Sequence, residues 1–239
     1  MNGLVSRPLI QAHSMNHRIS YNEIVTTAAK ALFALGVSPG VDVENAKNIA
    51  WLEASKLGGI SILADEIAKI DGLRQWPIPK IEKAEEAMVI TPSIPSSLSL
   101  VQTSLDFVEI GQTVIIKMCS APLLIFAESA RRAAQSKGFR LKWVKDGALI
   151  EGICGPGWYY INKRLQIRSG PADVVIKKID PRALADKASD DNIYEHSISN
   201  GMLVDLGSWT LINQIAKESL VPSNIHSRGS AGAEVDDSS

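Results

Sequence analysis

The chain has 239 residues, 45% of them apolar, and its 25 Lys and Arg against 26 Asp and Glu leave a formal net charge of -1. That length is ample for a sizeable core in one large domain or two small ones. Balanced charge with no basic tract gives no footprint for nucleic acid, and the most apolar run, Val114 to Ala127, is broken by Lys117 and falls short of the roughly 20 residues a membrane span requires.

Two cysteines, Cys119 and Cys154, are sparse enough to suit a reducing compartment, so a cytoplasmic protein is expected. The first residues contain no continuous apolar segment of the secretory type, and Met15 offers an alternative start. His13 and His17 lie four apart, but no third ligand is near, and no metal is expected.

Ser20-Tyr21-Asn22-Glu23 has capping-box form, and Ile24, Ala28, Ala31, Leu32 and Leu35 follow at helical spacing before Gly36. A second amphipathic segment, with Val43, Ala46, Ile49, Ala50, Ala54 and Leu57, runs from the turn at Ser38-Pro39-Gly40 to Gly58-Gly59. Ile60 to Ile70 then completes a small helical layer. Glu53, beside Trp51 and Leu52, is either a functional carboxylate or an acid paired at the edge of an apolar stripe. Trp76-Pro77-Ile78-Pro79 marks a rigid connector, since prolines so spaced resist helix and interior strand alike.

Beyond it, Leu98, Leu100, Leu105, Phe107 and Val108 alternate loosely with polar residues and predict a strand, which Gly111-Gln112 turns into a second from Thr113 to Met118. Cys119-Ser120-Ala121-Pro122 then hands over to a helix, with Ser120 as N-cap, Pro122 in the first turn and Gly138 as the closing C′ residue. Cys119 and Ser120 would thus lie at the positive end of a helix dipole, which favours anions and lowers a thiol pKa. Against this stands the packing alternative, a buried cysteine filling a strand–helix junction.

Arg140 to Lys145 and Ala148 to Ile153 flank Asp146-Gly147, the signature of a type I′ hairpin. Trp158 to Ile161, Leu165 to Arg168 and Asp173 to Lys178 extend it into an antiparallel meander. The intervening Gly152-Ile153-Cys154-Gly155-Pro156-Gly157 would let backbone approach a ligand, or is simply a wide turn followed by cross-strand aromatics. It lacks the Gly-Lys-Ser/Thr ending of a phosphate loop and is followed by strands rather than the helix of a dinucleotide fingerprint, so no cofactor is expected. His196, between Glu195 and Ser197, is either an acid–base imidazole or a surface histidine. A last helix, Ser208 to Leu220, presents Trp209, Leu211, Ile212, Ile215 and Ala216, and the small, polar residues after it read as a disordered tail.

These segments predict an α+β fold, with an N-terminal helical layer on a mainly antiparallel sheet, then a C-terminal helix and extended tail. The divisions are a flexible leader over 1–19, a helical part over 20–75, a β-rich part over 76–207 with one long helix at 120–137, and helix plus tail over 208–239.

The Ser20–Glu23 helix start, the Gly36 break, Ala46 with Trp51-Leu52-Glu53, Gly58-Gly59, the Cys119–Phe126 segment, Val221-Pro222, Ser227-Arg228-Gly229 and Ala231-Gly232-Ala233 together resemble a bacterial family of domains of unknown function. The ending Glu234-Val235-Asp236-Asp237 departs from the amide-bearing acidic ending of that family. The first two helices are also similar to the helical start of the malate/lactate dehydrogenase family, which uses a nicotinamide cofactor on a non-Rossmann fold. In that family a Ser-His-Gly motif carrying the catalytic histidine follows these helices; here the corresponding run, Gly58 to Leu63, has no histidine. That resemblance does not carry the activity with it.

The expected function is a pocket for a small anionic metabolite, formed by Cys119 and Ser120, by Cys154 and Gly155 of the glycine turn, and by Ser227 and Arg228 from the tail. Were it an enzyme, Cys119 would be the nucleophile and His196 or His226 its base. The alternative is a non-enzymatic homo-oligomeric assembly in which the tail reaches a neighbouring subunit.

Overall fold

The computed structural model describes residues 18–70, 72–73, 78–133, 137–162, 170–182 and 193–219. Its first helices arise where the periodicity places them. Ser20 Oγ accepts from Glu23 N at 3.2 Å and opens α1 (Tyr21–Ala34), and α2 (Val41–Ala54) and α3 (Gly59–Ile70) follow. The turn between α2 and α3 needs Gly59, because a Cβ there would lie 2.0 Å from the Ile49 carbonyl oxygen.

Among the described residues the sheet contains seven strands: β2 (Lys80–Lys83), β3 (Ala87–Thr91), β4 (Thr113–Cys119), β5 (Gly138–Lys145), β6 (Ala148–Gly155), β7 (Trp158–Ile161) and β8 (Ala172–Ile179), in the order β2-β3-β4-β8-β5-β6-β7. β3 and β4 are parallel and every other neighbouring pair is antiparallel. The mainly antiparallel α+β architecture is therefore present. β2, exposed throughout and charged at Lys80, Glu82 and Lys83, forms one edge, a composition that discourages pairing with another chain. The Asp146-Gly147 hairpin forms as predicted, with φ of 49° and 73°.

Three predicted elements are corrected. Leu98 to Val108 is no strand: residues Val101–Glu109 form a helix (α4) that bridges parallel β3 and β4, as a crossover requires. Val101, Leu105 and Val108 are all buried and stand at i, i+4 and i+7, a helical period that the looser alternation concealed. The β-rich part consequently holds more than one helix. Gly138 does not close the helix after β4, which spans Pro122–Ala133 (α5); it begins β5, where a Cβ would lie 2.9 Å from Ile179 O. Finally, β8 does not continue the β5-β6-β7 meander but inserts between β4 and β5. The predicted strand at 165–168 lies outside the described residues.

One face of the sheet carries Ile90, Val114, Ile116, Val174, Ile176, Leu141, Trp143 and Ile150 into the core. α4 and α5 cover it, α2 lies on α5, and α1 and α3 flank α2. The last described elements are α6 (Ile193–Asn200), β9 (Met202–Leu203) and α7 (Leu206–Glu218), which packs on α1 and α3 through Trp209, Ile212 and Ala216 while Leu211 faces solvent. Arg18 and Ile19, placed by the sequence in a flexible leader, form β1 and pair with β9.

Candidate functional site

The strand–helix junction after β4 is shaped by a bulge. Pairing with β8 shifts between Ile116 and Cys119, and Met118 sits at φ 48°, an unusual conformation for a residue with a side chain. Asp173 grips it: its carboxylate accepts from Met118 N at 3.0 Å and from Lys117 Nζ at 2.6 Å, which holds this carboxyl below the usual aspartate range. The bulge leaves Met118 exposed and turns Cys119 into the core.

Beneath the junction lies Glu66 of α3, with no solvent exposure. One carboxylate oxygen accepts from Ser96 Oγ and Ser97 N, both at 2.7 Å, and the other from Ser120 Oγ at 2.7 Å and Lys69 Nζ at 2.5 Å. Four donors, one of them a cation, compensate a buried anion, which would otherwise cost several kcal/mol. Ser97 Oγ also accepts from Ala121 N at 2.9 Å and touches Ser120 Oγ at 2.9 Å and Cys119 Sγ at 3.3 Å.

Proton counting orders this chain. Each hydroxyl has one hydrogen, and that of Ser120 goes to Glu66. Ser97 must therefore donate to Ser120, and Cys119 must donate its S–H to Ser97. The thiol is a donor at the end of a relay that runs Cys119, Ser97, Ser120, Glu66. Burial pushes its pKa up to about 12, opposite to the lowering that a helix terminus suggests, because desolvation outweighs the contact with Ser97. Nor does Ser120 cap α5, since its side chain is committed to Glu66; Pro122 does occupy the first helical position.

Above this network opens a cavity of about 630 Å³. Pro92, Ile94, Pro95, Met118 and Pro171 give it apolar walls, and Asp65, Lys69, Ser93 and Ser120 supply polar groups. Gly170 N donates to Ser120 O at 3.1 Å, bringing the residues that precede β8 over the junction as a wall.

The other sequence candidates are not gathered here. Cys154 pairs with Phe139, Phe139 with Lys178, and it is the other end of β8, at Ala172, that pairs with Cys119. The two cysteines thus occupy opposite corners of the sheet, separated by about 20 Å along the strands and three strand spacings across. The Cys154 thiol is buried against Phe139 O, and burial raises its pKa. Gly155 serves packing: a Cβ there would meet the Trp158 ring at 2.5 Å, just as one at Gly152 would meet Phe126 at 2.7 Å. His196 is exposed on α6, with Asn200 Nδ2 3.2 Å from its Nδ1. Ser227, Arg228 and His226 lie outside the described residues.

Glu53 has a structural assignment, because it accepts from Ile60 N at 2.9 Å and holds the start of α3, while burial pushes its pKa above the ordinary range. Glu66, Lys69 and Ser97 are not among the residues that the sequence alone singles out. The signal existed for Glu66: it falls among Ile62, Leu63, Ile67 and Ile70 on the buried stripe of α3, where an acid demands partners.

A second polar cluster joins α5 to α2 and α4. Arg131 reaches Glu44, Asn48 and Glu128, and Arg132 reaches Glu128, Asp106 and Glu109, beside a cavity of about 370 Å³.

Residues 19–88 match the sequence model of a family described as "Protein of unknown function (DUF3726)". No curated protein matches the sequence. Among solved structures, malate dehydrogenase from Pyrococcus horikoshii OT3 is 10% identical with a TM-score of 0.61, over 87% of this chain and 97% of that one. Sulfolactate dehydrogenase from Methanocaldococcus jannaschii is 10% identical with a TM-score of 0.60, over 85% and 97%. A dehydrogenase from Sinorhizobium meliloti is 9% identical with a TM-score of 0.60, over 84% and 99%. At such identities the likeness establishes a shared fold and carries no chemistry.

Proposed function

We propose that the cleft over the β4–α5 junction binds a small metabolite through an anionic group, with Lys69 as its counter-charge. The observation that carries this is the cavity itself: a large, mainly apolar space with one ammonium at its edge suits an organic anion with an apolar body. An ammonium has three N–H donors, and the bond to Glu66 uses one, so Lys69 retains donors for a ligand. Among the described residues no helix is long and apolar enough to cross a membrane.

Calorimetry with 3-phenylpropanoate, a probe combining a carboxylate with an apolar ring, tests the reading. Saturable binding is expected, retained in Lys69→Arg and lost in Ala68→Trp, which puts an indole into the cavity and leaves Glu66 and its partners unsubstituted. Absence of binding at millimolar probe, or unchanged binding in Ala68→Trp, overturns it.

A further inference from the structure

We infer that the ligand of this cleft is a monocarboxylate, one carboxylate on a body that carries no further charge, and that the cleft turns away dicarboxylates and phosphate esters. The inference rests on the anion-binding reading and deepens it. Its ground is the supply of cations and hydrogen-bond donors in the lining. Lys69 is the one cation among the described residues that line the cavity, and its side chain is 26% exposed while Glu66 behind it is fully buried. Of the three hydrogens on its ammonium one goes to Glu66, and the others match the two oxygens of a carboxylate.

The rest of the lining gives a second anionic group little to bind. Pro92, Pro95 and Pro171 have no N–H. The hydroxyl hydrogens of Ser93 and Ser120 are spent inside the protein, on Ile78 O at 2.5 Å and on Glu66 Oε1 at 2.7 Å. Gly170 N donates to Ser120 O and Met118 N to Asp173 Oδ1, so neither amide is free for a ligand. A second carboxylate would therefore leave water for walls of proline, isoleucine and methionine, a desolvation that no further cation offsets. It would also enter a lining that already contains the carboxylate of Asp65, which has a partner of its own. A phosphate ester, with three acceptor oxygens and about two charges on one group, asks more of a single ammonium than its remaining hydrogens supply.

Four probes of one skeleton separate charge from shape. 3-Phenylpropanoate is the parent; 3-(4-nitrophenyl)propanoate adds a neutral ring substituent; 3-(4-carboxyphenyl)propanoate adds one of nearly the same outline with a second negative charge; and 3-phenylpropanamide has no charge. Calorimetry on the full chain at neutral pH should show the carboxy probe binding at least about tenfold more weakly than the nitro probe, and the amide about tenfold more weakly than the parent. Whatever binds in the cleft should be lost in Ala68→Trp. If the carboxy probe binds no worse than the nitro probe, the monocarboxylate is overturned and the anion site stands. If the amide equals the parent, the charge contributes nothing and both readings fall. If none of the four binds, the anion reading fails and takes this one with it.

Discussion

The two charge clusters solve one problem in different ways. Around Glu128, two arginines and four carboxylates interlock so that Glu128 and both arginines each have at least two opposite neighbours, and the cluster acts as a clasp between α5, α2 and α4. Around Glu66 there is one carboxylate and one ammonium, and the remaining partners are two hydroxyls and a backbone amide. The first cluster is redundant and saturated by its own members. The second is minimal, and its hydroxyl chain has a direction. Redundancy suits a structural joint, whereas a minimal and polarised set beside apolar walls leaves capacity for something else.

The largest effect that tests this contrast comes from Glu66→Ala. It would strand the Lys69 ammonium, two hydroxyls and the Ser97 amide, and should cost about 3–5 kcal/mol of stability in urea unfolding. Arg131→Met should cost less, about 1–2 kcal/mol, since Glu128 keeps Arg132 and Glu44 keeps Lys47. Equal losses would break the distinction between minimal and redundant clusters.

Ser97→Ala should fall near the second value, at about 1–3 kcal/mol, because it orphans Ala121 N and the Cys119 thiol. Iodoacetamide should label Cys119 in the native protein at pH 8 no faster than global unfolding exposes it. Rapid native labelling would show that the thiol is neither shielded nor held as the relay requires.

Smaller still are the pH terms, which have opposite signs. Glu53, raised by burial above its ordinary value of 4.5, binds a proton in the folded state that the unfolded chain has released, so its contribution improves as pH falls through its folded value and levels off below the unfolded one. Glu53→Gln, which keeps an acceptor for Ile60 N, should flatten that part of a stability–pH profile. Asp173, lowered chiefly by Lys117, contributes above its unfolded value and loses that contribution as pH falls through its folded one. The exposed Lys117–Asp173 pair is screened by solvent, and Lys117→Ala should cost no more than about 0.5 kcal/mol in the same unfolding assay.

Helices α1 to α3, the Asp146-Gly147 hairpin and the strand into Cys119 were legible because each depends on neighbours in sequence: a cap, a period, a turn dipeptide. β8 was recognisable as a strand, but its place between β4 and β5 was not, since pairing partners are chosen by the sheet rather than by the strand. α4 was misread because Leu98 and Leu100, buried in the turn before it, suggested alternation. The site was half legible. Ser120 was found through the junction that carries it, yet the partner that decides its role, Glu66, lies 54 positions away and could be suspected only as an acid on an apolar stripe. Cys154 and Gly155 were drawn toward Cys119 by residue type, and strand order set them apart.

The insertion of β8 also governs when the protein can become itself. β4 and β5 precede residues 172–179 in the chain and each pairs with that strand rather than with the other, so the centre of the sheet stays unfilled until β8 arrives. Gly170 and Pro171, which immediately precede that strand, wall the cleft over Ser120. Pairings of such long sequence separation form slowly. Binding competence should therefore appear late in refolding, as the step that closes the sheet, and a chain halted before β8 would hold Glu66, Ser97 and Ser120 without a cleft to place them in.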